Sequence, residues 1–150
     1  MASAPLGSNT VMQIGLVVHN IEDAIRAWSL LLGVPPPSII VTDSVDLAHT
    51  EYQNHPTPAR AKLAFFQLGQ VALELIEPIG EPSTWRDQLL THGQSLHHIA
   101  FETKGMPERL TALAGQGLPL LQRGEYQGGR YAYLDGREPF GTIVELLEND

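Results

Sequence analysis

Four polar residues stand at matching places in two halves of the chain. Gln13 lies in the run Gln13-Ile14-Gly15-Leu16, and His98 lies in His98-Ile99-Ala100-Phe101. Glu74 opens Glu74-Leu75-Ile76-Glu77, and Glu145 opens Glu145-Leu146-Leu147-Glu148. All four runs alternate as strands do, so side chains two apart share a face. Gln13 then shares its face with Gly15, and His98 with Ala100; each small residue leaves room above the sheet. Glu74 and Glu145 sit among apolar neighbours, where a carboxylate is costly unless paired. Two carboxylates facing one cavity repel, and one is driven toward protonation. A divalent cation relieves both problems. For either Glu alone a solvated strand face is the simpler account, and for His98 alone a hydrogen-bonded core histidine. The recurrence of all four favours one shared metal site built from Gln13, Glu74, His98 and Glu145.

One amide oxygen, one imidazole and two carboxylates form an oxygen-rich set. It suits octahedral Mn, Co, Ni or Fe(II), and it also accepts Zn. Two coordination positions stay open for a substrate carrying two nearby oxygens. The ion then acts as a Lewis acid on the enolate left when the adjacent carbon loses its proton.

The elements that must position these residues follow from periodicity. Residues 12–18 form a strand. Asn20 caps a helix whose apolar face is Ile21, Ile25, Trp28 and Leu32, and Gly33 and Pro35 stop it. Residues 38–46 read as a second strand and 47–59 as a loop. Residues 60–68 and 71–77 flank Gly69-Gln70 as a hairpin. A connector, 78–94, carries a short helix capped by Ser83. The second half repeats the plan. A strand at 95–103 precedes a helix begun by Pro107 and ended by Gly117; strands follow at 118–126, 130–135 and 141–147. Each half is strand, helix, then three strands, and such a repeat is a strong architectural signal. We expect an α+β fold of two tandem βαβββ modules. Module one covers 12–77, the connector 78–94 and module two 95–148, within a single domain of 11–150 behind a loose tail at 1–10.

Composition narrows the function classes. The 150 residues suit one domain. There is no cysteine, which removes disulfides and thiolate metal sites. Nine Lys and Arg against 17 Asp and Glu give a net charge of −8, which disfavours nucleic acid as a partner. No apolar run nears the roughly 20 residues that span a bilayer. The first ten residues lack the pattern of a signal peptide, so a cytoplasmic location is expected.

The order and spacing of 12–33 and of Gly93-Gln94-Ser95-Leu96-His97-His98-Ile99-Ala100-Phe101-Glu102 resemble the vicinal-oxygen-chelate (glyoxalase/bleomycin resistance/dioxygenase) superfamily over residues 12–148. The double histidine and Glu74-Leu75-Ile76-Glu77-Pro78 are most similar to methylmalonyl-CoA epimerases. The resemblance implies two βαβββ modules forming a cupped sheet around one divalent ion. It also implies an epimerase-like or glyoxalase I-like isomerase or lyase acting on a small carbonyl or acyl-thioester substrate. The family's usual first ligand is His; here it is Gln13, as in some glyoxalase I enzymes. By analogy Glu145 is the catalytic base, whether bound to the ion or released from it. His98 matches the metal ligand. His97, taken to face the other way, is given a structural role. Family epimerases resemble a two-base arrangement, but 54–60 holds no acid. Glu51 and His55 are the nearest substitutes, and both read as loop residues. A one-base isomerisation needs neither.

Other residues read more simply. Arg60, Lys62, Arg86, Arg130 and Arg137 are surface charges that could meet a substrate anion. Tyr131 and Tyr133 share a strand face and read as packing. His19 has a local role, His49 and His92 read as surface, and Glu77 and Glu148 are expected to be exposed opposite the ligands. The competing function is a metal-free drug-binding protein of the bleomycin-resistance type. A ring-cleaving dioxygenase is disfavoured because it normally wants two His and one Glu. Module edges that need covering make a homodimer the expected assembly.

Overall fold

Asn20 shows how directly the sequence sets the local structure. In the computed structural model, which describes residues 4–150, Asn20 follows strand β1 (Val11–Val17) and accepts a hydrogen bond from the Asp23 backbone N–H. It thereby starts helix α1 (Ile21–Leu32), which Gly33 ends in the left-handed conformation. Then come β2 (Ile40–Val41), α2 (Val45–Ala48), β3 (Glu51–Tyr52) and β4 (His55–Pro56). The long hairpin β5 (Arg60–Leu68) and β6 (Val71–Ile79) completes the first half. Helix α3 (Thr84–His92), capped by Ser83, connects to β7 (Ser95–Glu102) and α4 (Met106–Ala114). The chain finishes with β8 (Leu120–Tyr126), β9 (Gly129–Leu134), α5 (Arg137–Phe140) and β10 (Ile143–Asn149).

The ten strands of the described residues join one sheet in the order β2-β5-β6-β1-β7-β10-β9-β8-β3-β4. Each half pairs its first strand with its last in parallel, β1 with β6 and β7 with β10. The two first strands meet antiparallel at the centre. This is the curled mixed sheet expected of two βαβββ units. The second strand is shorter than expected. Only Ile40 and Val41 pair with β5, and 45–48 turns into α2. The 47–59 loop carries β3 and β4 across to the opposite edge, where Glu51 and Tyr52 pair with β8.

Three apolar clusters hold the sheet. On the outer face α1 packs Ile21 and Ile25 against Leu73, Leu75, Ala64 and Phe66. Helix α4 does the same with Met106 and Leu113 against Ala132, Leu134, Val144 and Leu146. On the inner face α3 presses Trp85 and Leu89 onto Val17, Ile76, Tyr133 and Ile143. Burial of these side chains, at roughly 1.5–3 kcal/mol each, is the main favourable term for the fold. Part of the expected tail is docked: Leu6 packs against the α4 cluster, and the Arg109 guanidinium donates to the carbonyls of Ala4 and Pro5. Residues 1–3 of that tail lie outside the described residues.

Glu77 and Glu148, expected to be exposed, do work at the helix starts. They point away from the inner face, as an odd spacing from Glu74 and Glu145 requires. Parallel pairing brings the end of each last strand beside the start of its own half's helix. Glu77 Oε1 accepts the Ile21 N–H at 2.9 Å. Glu148 accepts the N–H groups of Gly105 and Met106 at 2.8 and 3.2 Å. A carboxylate at a helix N-terminus satisfies orphan donors and opposes the positive end of the dipole. Lys62 pairs with Glu77 at 3.6 Å and Arg130 with Glu148 at 3.0 Å. The repeated Glu-x-x-Glu therefore sends its first acid inward and its second to a helix.

Candidate metal centre

Register alone brings the inward-facing residues together. Across the sheet, Phe65, Glu74, Gly15, His98 and Ile143 form one row. Ala72, Gln13, Ala100, Glu145, Tyr133 and Gln122 form the next. Gly15 is the opening between Glu74 and His98: a Cβ at that position would overlap the His98 ring. The glycine is there so that the imidazole can lie over its neighbour's backbone.

Glu74, His98 and Glu145 are 7%, 0% and 3% exposed. His98 Nε2 lies 3.3 Å from Glu74 Oε1 and 3.1 Å from Glu145 Oε1. Those same three atoms are buried with no partner in hydrogen-bonding geometry. Buried polar atoms are almost always satisfied, so three orphans converging on one point ask for something between them. One ligand atom from each residue lies within 4.8 Å of the others, an arrangement that could hold a metal ion. Two carboxylates and one imidazole also match a dication in charge and ligand type. Gln13 sits in the adjoining row on the same face, half-buried.

Electrostatics agree with this picture. Burial alone would push His98 down, but the Glu145 and Glu74 carboxylates override it and raise it to about 10. Burial pushes Glu145 up; the His98 charge opposes that, and Glu74 adds to it. Burial and the two carboxylates also hold the Tyr133 hydroxyl well above its ordinary range.

His97 does not face away. A bulge in the β1–β7 pairing sets Gly15 opposite His98 and Leu16 opposite Leu96, so His97 is the extra residue. Its ring, 1% exposed, turns inward beside His98 and Tyr133. His97 Nδ1 lies 2.8 Å from His98 Nδ1, and His97 Nε2 lies 3.1 Å from Thr84 Oγ1. Burial and the neighbouring His98 charge hold His97 well below the usual imidazole range, which keeps it neutral. Gln122 Oε1 accepts the Thr84 N–H at 2.8 Å and lies 3.3 Å from Thr84 Oγ1. Gln122 Nε2 donates to the Tyr131 hydroxyl at 3.1 Å, and Trp85 Nε1 donates to the Tyr133 hydroxyl at 3.0 Å. Tyr131 and Tyr133 thus line the inner face beside the acids. Sequence reasoning missed Thr84, Trp85 and Gln122 in this setting. A bulge leaves no mark in the alternation, and nothing local ties α3 to β8.

The remaining candidates lie elsewhere. Glu51 is 3.3 Å from Arg123 toward the β8 edge of the sheet, and His55 is exposed on β4. Arg137 is held by Asp135, Arg86 donates to backbone carbonyls, and Arg60 donates to Thr42 O. His49 pairs with Glu125 at the surface, and His92 is exposed.

Comparison with known proteins fits this geometry. Residues 12–133 match the model of the Glyoxalase/Bleomycin resistance protein/Dioxygenase superfamily. The uncharacterized protein YqjC of Bacillus subtilis is 34% identical over 143 residues, covering 93% of this chain and 92% of its own. A hypothetical protein from Bacillus halodurans superposes with a TM-score of 0.67 at 23% identity, covering 95% and 96% of the two chains. Methylmalonyl-CoA epimerase from Mycobacterium tuberculosis does so with a TM-score of 0.62 at 19% identity, covering 100% and 93%. A methylmalonyl-CoA epimerase in complex with methylmalonyl-CoA gives 0.63 at 18% identity, covering 93% of each chain.

Proposed function

Since this chain belongs to the glyoxalase/bleomycin resistance/dioxygenase superfamily, we propose that it is a divalent-metal-dependent isomerase or lyase that removes a proton next to the carbonyl of a small acyl-thioester or carbonyl substrate. The observation that carries the reading is the convergence of three buried ligand atoms, Glu74 Oε1, His98 Nε2 and Glu145 Oε1, with no hydrogen bond of good geometry to satisfy them. Those residues, with Gln13, would hold the ion. When bound, a divalent cation supplies Lewis-acid polarisation of the substrate oxygens. Zn, Co, Ni, Mn and Fe(II) all fit the donor set.

The chain's own groups do the rest. Glu145 is the base. Its carboxylate, 3% exposed and beside His98 Nε2, would take the proton either while holding the ion or released from it. Trp85 and Leu89 wall off the lower inner face and exclude water there. Gln13, Ala72 and Phe65 share the inner face with the acids and are only half-buried, so a substrate would approach past them. Glu51 is tied to Arg123, so the reading rests on one base and suits a one-base isomerisation. Solved relatives named as methylmalonyl-CoA epimerases, one of them bound to methylmalonyl-CoA, support an acyl-CoA thioester as the first substrate to try.

Among the described residues, no helix is long and apolar enough to cross a membrane. A cytoplasmic homodimer completes the reading. The exposed apolar strip Ile39, Ile40 and Val41 along the β2 edge supports self-association, which light scattering would check.

The deciding experiment joins elemental analysis of purified protein with deuterium uptake from heavy water into methylmalonyl-CoA and into hemithioacetals. About one divalent ion per chain and metal-dependent uptake into one of these are expected. Tight capture of a planar drug by metal-free protein, with no exchange, would establish the bleomycin-resistance alternative instead.

A further inference from the structure

The hydrogen bonds from His98 to Tyr131 have a direction that a single backbone group dictates. An N–H can only donate, so the Gln122 atom facing the Thr84 N–H at 2.8 Å must be the amide oxygen. Gln122 Nε2 then faces Tyr131 and donates to its hydroxyl. The same oxygen lies 3.3 Å from Thr84 Oγ1, so the Thr84 hydroxyl must be the donor there. With its proton committed, Thr84 Oγ1 accepts from His97 Nε2 at 3.1 Å. His97 is 1% exposed and its two ring nitrogens face Thr84 Oγ1 and His98 Nδ1, neither of them an anion, so a second ring proton would bury an unpaired charge; its Nδ1 therefore holds a lone pair. That lone pair, 2.8 Å from His98 Nδ1, accepts the His98 Nδ1–H. His98 Nε2 is therefore the nitrogen left to ligate, and it is the atom aimed between Glu74 and Glu145.

We propose that Gln122, Thr84 and His97 are positioning residues that fix the tautomer of His98, with the Thr84 N–H as the reference that sets the polarity of the whole chain. The inference rests on the metal reading for its purpose but on hydrogen-bond direction for its content. Thr84 is the first residue of α3, and Gln122 supplies its N–H with an acceptor; the helix that closes the inner face thereby also orients the ligand. Every member is buried except the terminal Tyr131, which is half-buried, so water is a poor substitute for any link. Metal-ligating histidines commonly donate their second ring N–H to a carboxylate, a backbone carbonyl or water, and here His97 Nδ1 takes that place; losing such a partner lowers metal affinity about 10–100-fold.

Nitrogen-15 spectra of the histidine side chains of the full chain test this directly. The six histidines would be assigned with single-histidine variants. His97 should carry its proton on Nε2 alone, and His98 should carry one on Nδ1, both before and after zinc is added. A proton on His97 Nδ1 overturns the proposal. If zinc leaves the His98 Nε2 resonance unmoved while these tautomers hold, the metal reading fails and the relay stands. In a second arm, Gln122→Met removes the acceptor without changing length. Zinc affinity should fall about 10–100-fold, and Gln122→Glu, which keeps an acceptor for Thr84, should restore most of it. Equal zinc affinity in Gln122→Met and the unaltered chain would refute the assignment.

Discussion

The half built on β1, α1, β5 and β6 and the half built on β7, α4, β8, β9 and β10 share one topology but furnish their inner faces differently. The first offers Gly15, Val17, Ala61, Ala72 and Phe65 around a single acid, Glu74. The second offers His97, His98, Gln122, Tyr131, Tyr133 and Glu145, wired to one another and to α3. One half makes space and the other makes orientation. The helix starts show the same division. Asn20 caps α1, with Glu77 as a second acceptor. Helix α4 begins at Gly105, which has no side chain to cap with, and depends on Glu148. A duplicated plan thus tolerates divergence wherever one group can stand in for another.

The largest expected effect separates the two acids. Glu145→Gln should lower deuterium uptake about 10²–10⁴-fold at saturating metal, the usual span for a lost general base. Glu74→Gln should chiefly raise the metal concentration needed. If both variants lost turnover equally at saturating metal, the assignment of the base to the second half would be wrong. Next comes Gly15→Ala. The added Cβ overlaps the His98 ring, and overpacking costs about 1–3 kcal/mol. Thermal unfolding should show that loss together with weaker metal binding. Unaltered stability would mean that the space at Gly15 is not needed.

The metal-free protein should depend on pH through His98. Its pKa in the fold, about 10, lies above the ordinary 6.5. A raised value contributes stability fully below about 6.5, and that contribution is lost as pH rises through about 10. Denaturant midpoints of metal-free protein should fall across that window and those of the metal-loaded protein should fall less. At neutral pH an arriving ion displaces this proton, so calorimetry in buffers of different ionisation enthalpy should report about one proton released per ion. The smallest effect tests the caps. Glu148→Ala should lower the unfolding midpoint more than Glu77→Ala, because of these two helices only α1 retains a capping side chain. Equal losses would erase that contrast.

Much of this arrangement was legible from the residues. The β5–β6 hairpin, the Asn20 and Ser83 caps and the inward set at 13, 74, 98 and 145 follow from alternation and turn chemistry. The second acid of each Glu-x-x-Glu was legible only as outward, since its helix partner comes from parallel pairing far along the chain. His97 misled because a bulge shifts the face without changing composition. The 47–59 segment hid its β3 and β4 strands because two-residue pairings carry no periodic signal.

The three site atoms come from β6, β7 and β10, and so from both ends of the central seam. Neither half of a growing chain can assemble them alone. On the proposed function, a nascent polypeptide would capture an ion only after the last strand has docked. Until then the His98 proton can occupy the gap between the two acids, and the three apolar clusters hold without it. Metal supply in the cell would therefore govern how many molecules are competent rather than how many survive synthesis.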